Sequence, residues 1–292
     1  MTALLLAAAA AGLQSGPVDF AAAQMRIDSK ERRVFLDGEV KLVRGDLTID
    51  SDHAVAFYAP QKSGTAASPT GQNIDRFTVD GNVRLQRATK TAQGSHGDLD
   101  LVGQTMLLTG TQEAPPVVRE REETLSGDRI LMRLDNDDVE VQRPRLVLRR
   151  ALPEEKERKD LPLRVEAAHL FVDKARQVAH FDGNVVVHRE DLIVKSPRMD
   201  ALYDKDGQLT LLELRGGVDL REGDRHATGQ SADYQAGKRV VALTGDPRLY
   251  DRGDMLVGDR IDMALDSKEV FVERARGRVR PDTHKDEIEA HR

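Results

Sequence analysis

Histidines and carboxylates are the residues of this sequence whose types and spacing could support chemistry. His180 and His188 flank an Asp-Gly pair, so a hairpin at that point would bring two metal-ligating imidazoles together. The run 135–138 resembles the start of a calcium loop but lacks the Gly at the sixth place and the Glu at the twelfth. Asp98 and Asp100 form a carboxylate pair of the kind that hydrolyses glycosides. We favour plainer interpretations, namely two half-exposed strand histidines, an acidic turn and surface charges.

Recognised catalytic motifs are otherwise missing from the sequence. It contains no Gly-x-Ser-x-Gly elbow, His-Glu-x-x-His, P-loop or Gly-x-Gly-x-x-Gly. The absence of Cys excludes disulfides, thiol catalysis and Cys-ligated zinc. An aromatic content of 4% and a net charge of −6 argue against a nucleic-acid partner. We therefore expect a protein that is not an enzyme, with no catalytic residue, no metal site and no cofactor.

Internal duplication is the most informative pattern in the 292 residues. The repeated blocks are 28–58 with 173–203, 81–110 with 216–245, and 127–134 with 258–265. Their order is preserved, and only the lengths of the intervening loops differ. The sequence therefore predicts two homologous units, at 18–146 and 163–281.

Two short elements with a period of two alternate within each unit. One reads Gly-x-Val-x-Leu-x-Arg, and the other begins with a small residue, usually followed by Asp. Apolar residues at alternate positions are typical of strands with one dry face and one wet face. Pairs such as Asp37-Gly38 and Asp206-Gly207 are typical of tight turns. The remaining turn signals are Asp80-Gly81, Asp182-Gly183 and Ala236-Gly237. We predict an all-β antiparallel fold of many short strands joined by tight turns, duplicated in tandem.

Three segments lie outside the two units. Residues 1–17 are interpreted as a signal peptide or apolar leader, because Ala3 to Leu13 is almost wholly apolar and too short to span a membrane. No Lys or Arg precedes that run. Residues 147–162 form a charged linker or loop, and residues 282–292 a polar tail. Either an ordinary linker or a long hairpin loop within one continuous sheet stack would fit residues 147–162.

The dry strand faces are the candidate functional surface. They are aliphatic, and the space between two sheets that do not close would suit acyl chains, each buried methylene contributing about 0.8 kcal/mol. A plain packed core is the alternative. The interior residues of the first unit are Val40, Leu42, Leu47, Ile49, Val83, Leu85, Leu108, Ile130, Met132 and Leu134. Those of the second unit are Val185, Val187, Leu192, Val194, Val218, Leu220, Leu243, Ile261, Met263 and Leu265.

An Arg closes three copies of the first element, at Arg44, Arg87 and Arg189. We expect these side chains on the solvent face, where charges discourage aggregation between sheet edges. A position at the mouth of a groove is the alternative. The mixed-charge runs 119–123 and 143–145 are expected to be solvated faces, with a cationic rim for anionic headgroups as the alternative.

The ordered set of motifs, covering about 28–141 and 173–272, resembles the OstA-like family. This family contains the lipopolysaccharide-transport proteins LptA and LptC and the N-terminal domain of LptD. The resemblance implies an antiparallel β-jellyroll with an open edge, which holds lipid A acyl chains inside and pairs its edges head-to-tail with other Lpt-type proteins or with itself. It therefore implies a periplasmic protein that binds lipopolysaccharide and carries it towards the outer membrane. LptA-like and LptC-like roles both stay open.

A different class of function also fits the same pattern. A non-catalytic β-repeat scaffold or adhesin of the cell envelope would have a packed core that holds no ligand. The two hypotheses differ in whether the interior contains space that an acyl chain can enter.

Overall fold

The computed structural model describes residues 17–58, 74–148 and 162–278, apart from 266 and 268. Almost all of the leader and the charged stretch, and the whole tail, lie outside these residues. All elements in the described ranges are β-strands, and all their pairings are antiparallel. The prediction of an all-β antiparallel fold is confirmed.

The described strands of the first unit are numbered in chain order. They are β1 (Asp19–Ala21), β2 (Gln24–Asp28), β3 (Arg33–Arg44), β4 (Leu47–Tyr58), β5 (Ile74–Arg87), β6 (Lys90–Asp100), β7 (Thr105–Thr109), β8 (Val117–Glu120), β9 (Glu123–Ser126), β10 (Arg129–Arg133), β11 (Val139–Gln142) and β12 (Arg145–Leu148).

The second unit repeats the same succession of long and short strands. They are β13 (Leu163–Glu166), β14 (His169–Asp173), β15 (Val178–Arg189), β16 (Leu192–Tyr203), β17 (Leu209–Glu222), β18 (Arg225–Gln235), β19 (Val240–Thr244), β20 (Arg248–Asp251), β21 (Asp254–Val257), β22 (Arg260–Ala264), β23 (Val270–Glu273) and β24 (Arg276–Arg278).

Two strand layers arise because the long strands bend, so that each long strand contributes one half to layer A and the other half to layer B. Layer A runs β2-β3-β4-β5-β6-β7-β10-β11-β14-β15-β16-β17-β18-β19-β22-β23. Layer B runs β1-β3-β4-β5-β6-β8-β9-β12-β13-β15-β16-β17-β18-β20-β21-β24. The apolar faces of the two layers enclose one buried core. This is a β-jellyroll of stacked antiparallel strands. The ends of the bent strands in the two layers border the opening of the interior, which we call the mouth.

Three of the predicted Asp-Gly turns are instead bends inside long strands. These pairs are Asp37-Gly38 in β3, Asp80-Gly81 in β5 and Asp182-Gly183 in β15. The pairing register shifts at each of them and then resumes, which is the signature of a β-bulge. Gly81 has a φ of +75° and Gly183 one of +77°, a conformation that glycine adopts without strain. The prediction of many short strands was therefore wrong at these pairs, whereas Gly207 and Gly237 do lie in turns between strands.

Hydrogen bonding continues without a break from the first unit into the second. In layer A, Val141 of β11 pairs with Leu170 of β14, and in layer B, Leu146 of β12 pairs with Val165 of β13. Leu148, at the end of β12, faces Leu163 at the start of β13. Of the two arrangements that the sequence left open, the described strands form the continuous stack.

Candidate binding site in the interior

The period-two pattern places the predicted site residues on the inner faces of the two layers. Leu108 and Leu243 are each 0% exposed, and most of the other predicted residues are also buried. The exceptions are only partly buried and pack against the core: Met132, Leu192, Val194 and Leu265. Three of these exceptions lie in the second unit, so its interior is the less tightly closed of the two.

An apolar cavity of about 150 Å³ lies between the layers of the second unit. A dry cavity of this size accommodates a molecule such as benzene, so it can hold a section of an acyl chain. The predicted residues that line it are Val187, Leu192, Val194, Leu220, Met263 and Leu265. Its other apolar lining residues are Leu148, Leu163, Met199, Tyr203, Leu209, Leu212, Leu214, Ala232, Tyr234 and Val241. Most of these also alternate with polar neighbours, and applying the period of two throughout each strand would have found them.

The corresponding positions of the first unit are filled. Leu47 and Ile49 are each 1% exposed, where the second unit has the partly buried Leu192 and Val194. Phe77 pairs with Ala56, and Leu212 pairs with Ala201, the repeat counterpart of Ala56, so Phe77 and Leu212 occupy equivalent positions. Phe77 is 0% exposed. The two interiors therefore share a pattern and differ in how completely their side chains fill it.

The Arg residues that end the repeated element lie at the mouth of the interior. The side chain of Arg87 is 11% exposed, Arg189 lines the cavity, and the Nε atom of Arg44 is buried. The expectation that these residues face solvent was wrong. In Gly-x-Val-x-Leu-x-Arg the Arg follows the Leu by two residues, so a period of two places both on the same face. The sequence contained this signal.

Arg87 joins the tips of the two layers. Its Nη1 atom lies 2.8 Å from Oδ1 of Asp137, in the turn between β10 and β11, and 3.4 Å from the carbonyl oxygen of Leu134. Its Nε atom lies 3.1 Å from Oδ2 of Asp46, beside β4 of its own layer. The side chain of Asp137 is only 13% exposed, so this ion pair is largely shielded from water.

Further charged groups are buried beside this ion pair. Glu120 is 3% exposed and accepts a hydrogen bond of 3.1 Å from the Thr89 hydroxyl, while its Oε2 atom has no hydrogen-bond partner among the described residues. The Nζ atom of Lys174 is also buried, with no hydrogen-bond partner in the part of the chain that the structure describes, and the pKa of Lys174 is lowered by burial and by the charge of Lys90. Burial and the charge of Glu123 raise the pKa of Tyr203, which lines the cavity. Charged side chains are thus buried near Arg87, while the mouth of the second unit carries Arg189 and Glu222 beside an apolar lining.

The other candidate chemical groups lie apart from the interior. His180 and His188 both belong to β15, on opposite sides of its bend, and Nδ1 of His180 lies 2.8 Å from Oδ1 of Asp200. Asp98 contacts His96 on the wet face, and Asp100 accepts two backbone N–H bonds in a turn. No hairpin brings the two histidines together, so they do not form the pair that the spacing suggested.

The acidic run 135–138 is occupied by contacts within the protein. The Asn136 side chain bonds to Asp138, Asp138 accepts the backbone N–H of Lys174, and Asp137 pairs with Arg87. Across the described ranges, no three His, Asp or Glu side chains are grouped so that they would hold a metal ion. The described residues likewise include no helix of the length and hydrophobicity needed to cross a membrane.

A family model described as LptA/(LptD N-terminal domain) LPS transport protein matches residues 20–138 and 164–269. These two stretches make up most of the chain. The chain belongs to this OstA-like family of lipopolysaccharide-transport proteins. The first matched stretch ends before β11 and the second ends before β23, so each covers most of one succession of strands.

Individual relatives match smaller parts of the chain. An uncharacterised protein of Rhizobium meliloti is 25% identical over 126 residues, which are 43% of this chain and 64% of that protein. The LPS-assembly protein LptD of Pseudomonas syringae pv. syringae is 34% identical over 73 residues, or 25% of this chain and 8% of that protein. The crystal structure of LptH, the LptA-homologous periplasmic component of the lipopolysaccharide transport device of Pseudomonas aeruginosa, matches 41% of this chain at 19% identity, with 96% of LptH covered and a TM-score of 0.38.

Proposed function

We propose that this OstA-like protein binds lipopolysaccharide in the periplasm and shields its acyl chains in the apolar interior during transfer to the outer membrane. The observation that carries the proposal is the apolar cavity between the layers of the second unit. Aliphatic side chains line it, and burial of an acyl methylene against such a lining contributes about 0.8 kcal/mol. Membership of a lipopolysaccharide-transport family supports the same ligand.

The strands at the two ends of the stack support a role in a chain of similar proteins. Within the described residues, β1 and β2 pair only with β3, β23 only with β22, and β24 only with β21. Each end strand therefore has one side on which a further strand can add. Met25 on β2 is 54% exposed and Phe271 on β23 is 65% exposed, which gives both ends apolar surface. We propose head-to-tail contacts with other Lpt-type proteins or with a second copy, which extend the stack.

Photo-crosslinking in cells tests the proposed ligand. A photoreactive residue at Val194 would face the cavity, and one at its neighbour Lys195 would face solvent on the same strand. We expect lipopolysaccharide adducts at Val194 and none at Lys195. An exported, folded protein with no adduct at Val194 would contradict the proposal and favour a scaffold whose core holds no ligand.

A further inference from the structure

The junction between the two units is built from strands whose repeat counterparts lie at the two ends of the stack. In layer A, β11 pairs with β10 in the same register as β23 with β22, and β14 pairs with β15 in the same register as β2 with β3. In layer B, β12 corresponds to β24 and β13 to β1 in the same way. The last and first strands of the stack are therefore counterparts of the two sides of the internal junction.

The internal junction shows how strands of this kind pair with each other. Val141 of β11 lies opposite Leu170 of β14, and their side chains are 0% and 1% exposed. The counterparts of these two residues are Val272 at one end of the stack and Met25 at the other. Met25 is 54% exposed, although its counterpart at the junction belongs to the core. The ends of the stack thus carry inward-facing apolar side chains that one further pair of strands would cover.

The outward face of layer A is complementary between the two ends. In the register of the internal junction, Phe271 of β23 falls opposite Arg26 on β2 of a second copy. The guanidinium carbon of Arg26 lies 3.9 Å from the centroid of the Phe35 ring, and Phe271 is 65% exposed. The contact would therefore place Arg26 between aromatic residues on two neighbouring strands, where exclusion of water strengthens a cation–π interaction.

Layer B is complementary in charge and in side-chain size. The same register places Arg278 of β24 opposite Asp19 on β1 of a second copy, and facing opposite charges stabilise an antiparallel pair. It also places Gly277 opposite Phe20. The Leu256 side chain lies 2.9 Å from the place where a Cβ atom would stand at Gly277, so the Phe20 ring would have an apolar neighbour there.

We propose that a second copy of this chain is the partner at the two ends, and that copies join in the register of the internal junction. The inference rests on the proposed function, whose head-to-tail contact it assigns to one partner and one register. Because β11 and β14 are antiparallel, the equivalent contact between β23 and β2 would extend the sheet with the strand directions unchanged. Such a contact is heterologous, so copies add one after another and do not close into a dimer.

Disulfide trapping tests the register, because the natural chain contains no Cys. Full-length Met25→Cys protein is mixed with Val272→Cys protein under mild oxidation. We expect covalent dimers in the mixture and few in either protein alone, since facing residues of an antiparallel pair are within disulfide reach. Val270→Cys, two residues away on the same face, is the matched control. Diagonal positions lie about 7–8 Å apart, so its dimer yield with Met25→Cys should be roughly fivefold lower.

Either of two trapping results would overturn the inference. Equal yields from Val270→Cys and Val272→Cys would show that the strands do not hold the register of the internal junction. Abundant dimers of Val272→Cys protein with itself would show that the ends meet tail-to-tail and not head-to-tail.

Sedimentation of the full chain tests the facing pairs. Asp19→Lys and Arg278→Glu should each weaken self-association by about three- to tenfold, because like charges then face each other. The double variant should recover the natural affinity, since it restores opposite charges with their positions exchanged. Phe271→Ser should also weaken self-association, whereas Val102→Ser, at an apolar residue that is 75% exposed in the turn between β6 and β7, should not.

The sedimentation results separate this inference from the proposed ligand. A natural chain that stays monomeric up to about 1 mM would overturn the inference and leave other Lpt-type proteins as partners of the two ends. Lipopolysaccharide adducts at Val194 of such a monomer would leave the proposed ligand standing. Self-association that neither charge reversal weakens, or that the double variant does not restore, would contradict the assigned register.

Discussion

The two units have the same order of strands but differ in their interiors. In the first unit, Phe77 is 0% exposed and the mouth is bridged by Arg87 and Asp137. In the second, Leu212 lines a cavity with a charged rim residue, Glu222, in place of Arg87. The two copies of the repeat therefore preserve one backbone architecture, although the core of the first is filled and that of the second contains a cavity.

The largest difference between the units is expected from truncating matched core residues. Phe77→Ala should cost about 3–5 kcal/mol, because it removes a fully buried ring and leaves a cavity. Leu212→Ala should cost roughly half as much or less, because this side chain already borders open space. Urea denaturation of the two variants measures the difference. Equal losses would contradict the view that only the second interior is loosely filled.

Removing the charge of Asp137 or of Asp46 compares a shielded carboxylate partner of Arg87 with an exposed one. Asp137→Asn should destabilise the protein by about 1–3 kcal/mol, because the guanidinium loses a shielded charge partner. Asp46→Asn should change stability by about 0.5 kcal/mol or less, because this carboxylate is 47% exposed and its pairing is screened by water. Thermal melts of the two variants at the same ionic strength provide the test. A larger effect from Asp46→Asn would show that the cross-layer pair is not the dominant contact.

Filling the second interior should make it resemble the first. Leu212→Phe introduces the residue that stands at the matched position, and we expect a gain of about 0.5–2 kcal/mol from better packing. The same change should reduce lipopolysaccharide adducts at Val194, since it occupies part of the cavity. Both stability and crosslinking are measured on one variant. Increased stability with undiminished adducts would separate the cavity from the ligand site.

The smallest predicted difference depends on pH. A hydrogen bond from His96 to Asp80, at 2.5 Å, raises the pKa of the imidazole, whereas the matched position in the second unit is Ser231. Because the folded-state pKa is higher than the unfolded-state value of 6.5, the stabilisation is present below pH 6.5 and is lost as pH rises through the folded-state pKa.

His96→Ser should therefore destabilise the protein more at pH 5.5 than at pH 8. We expect a difference below about 1 kcal/mol, because the side chain is 37% exposed and the ion pair is screened by solvent. Urea denaturation at the two pH values measures it. The opposite pH dependence would show that His96 is not stabilised in its charged form.

The alternation of apolar and polar residues was sufficient to predict strands, their inner faces and the tandem repeat. It placed Leu108 and Leu243 in the interior, where each is 0% exposed. Applied consistently, it also placed Arg87 on the inner face, although the charge suggested solvent. The Asp-Gly pairs were misleading because the same residue types favour a hairpin turn and a bulge, and only pairing with neighbouring strands distinguishes the two.

The sequence by itself determined that the elements are strands and which face of each strand is apolar, because these depend on residues close together in the chain, and it showed the duplication directly. The tertiary structure alone decided that β11 and β12 continue into β14 and β13, that Arg87 meets Asp137, and that the second interior contains a cavity. Those features depend on distances between residues far apart in sequence. Periodicity specifies the face on which a side chain lies, but the packing of the two layers determines what that side chain contacts.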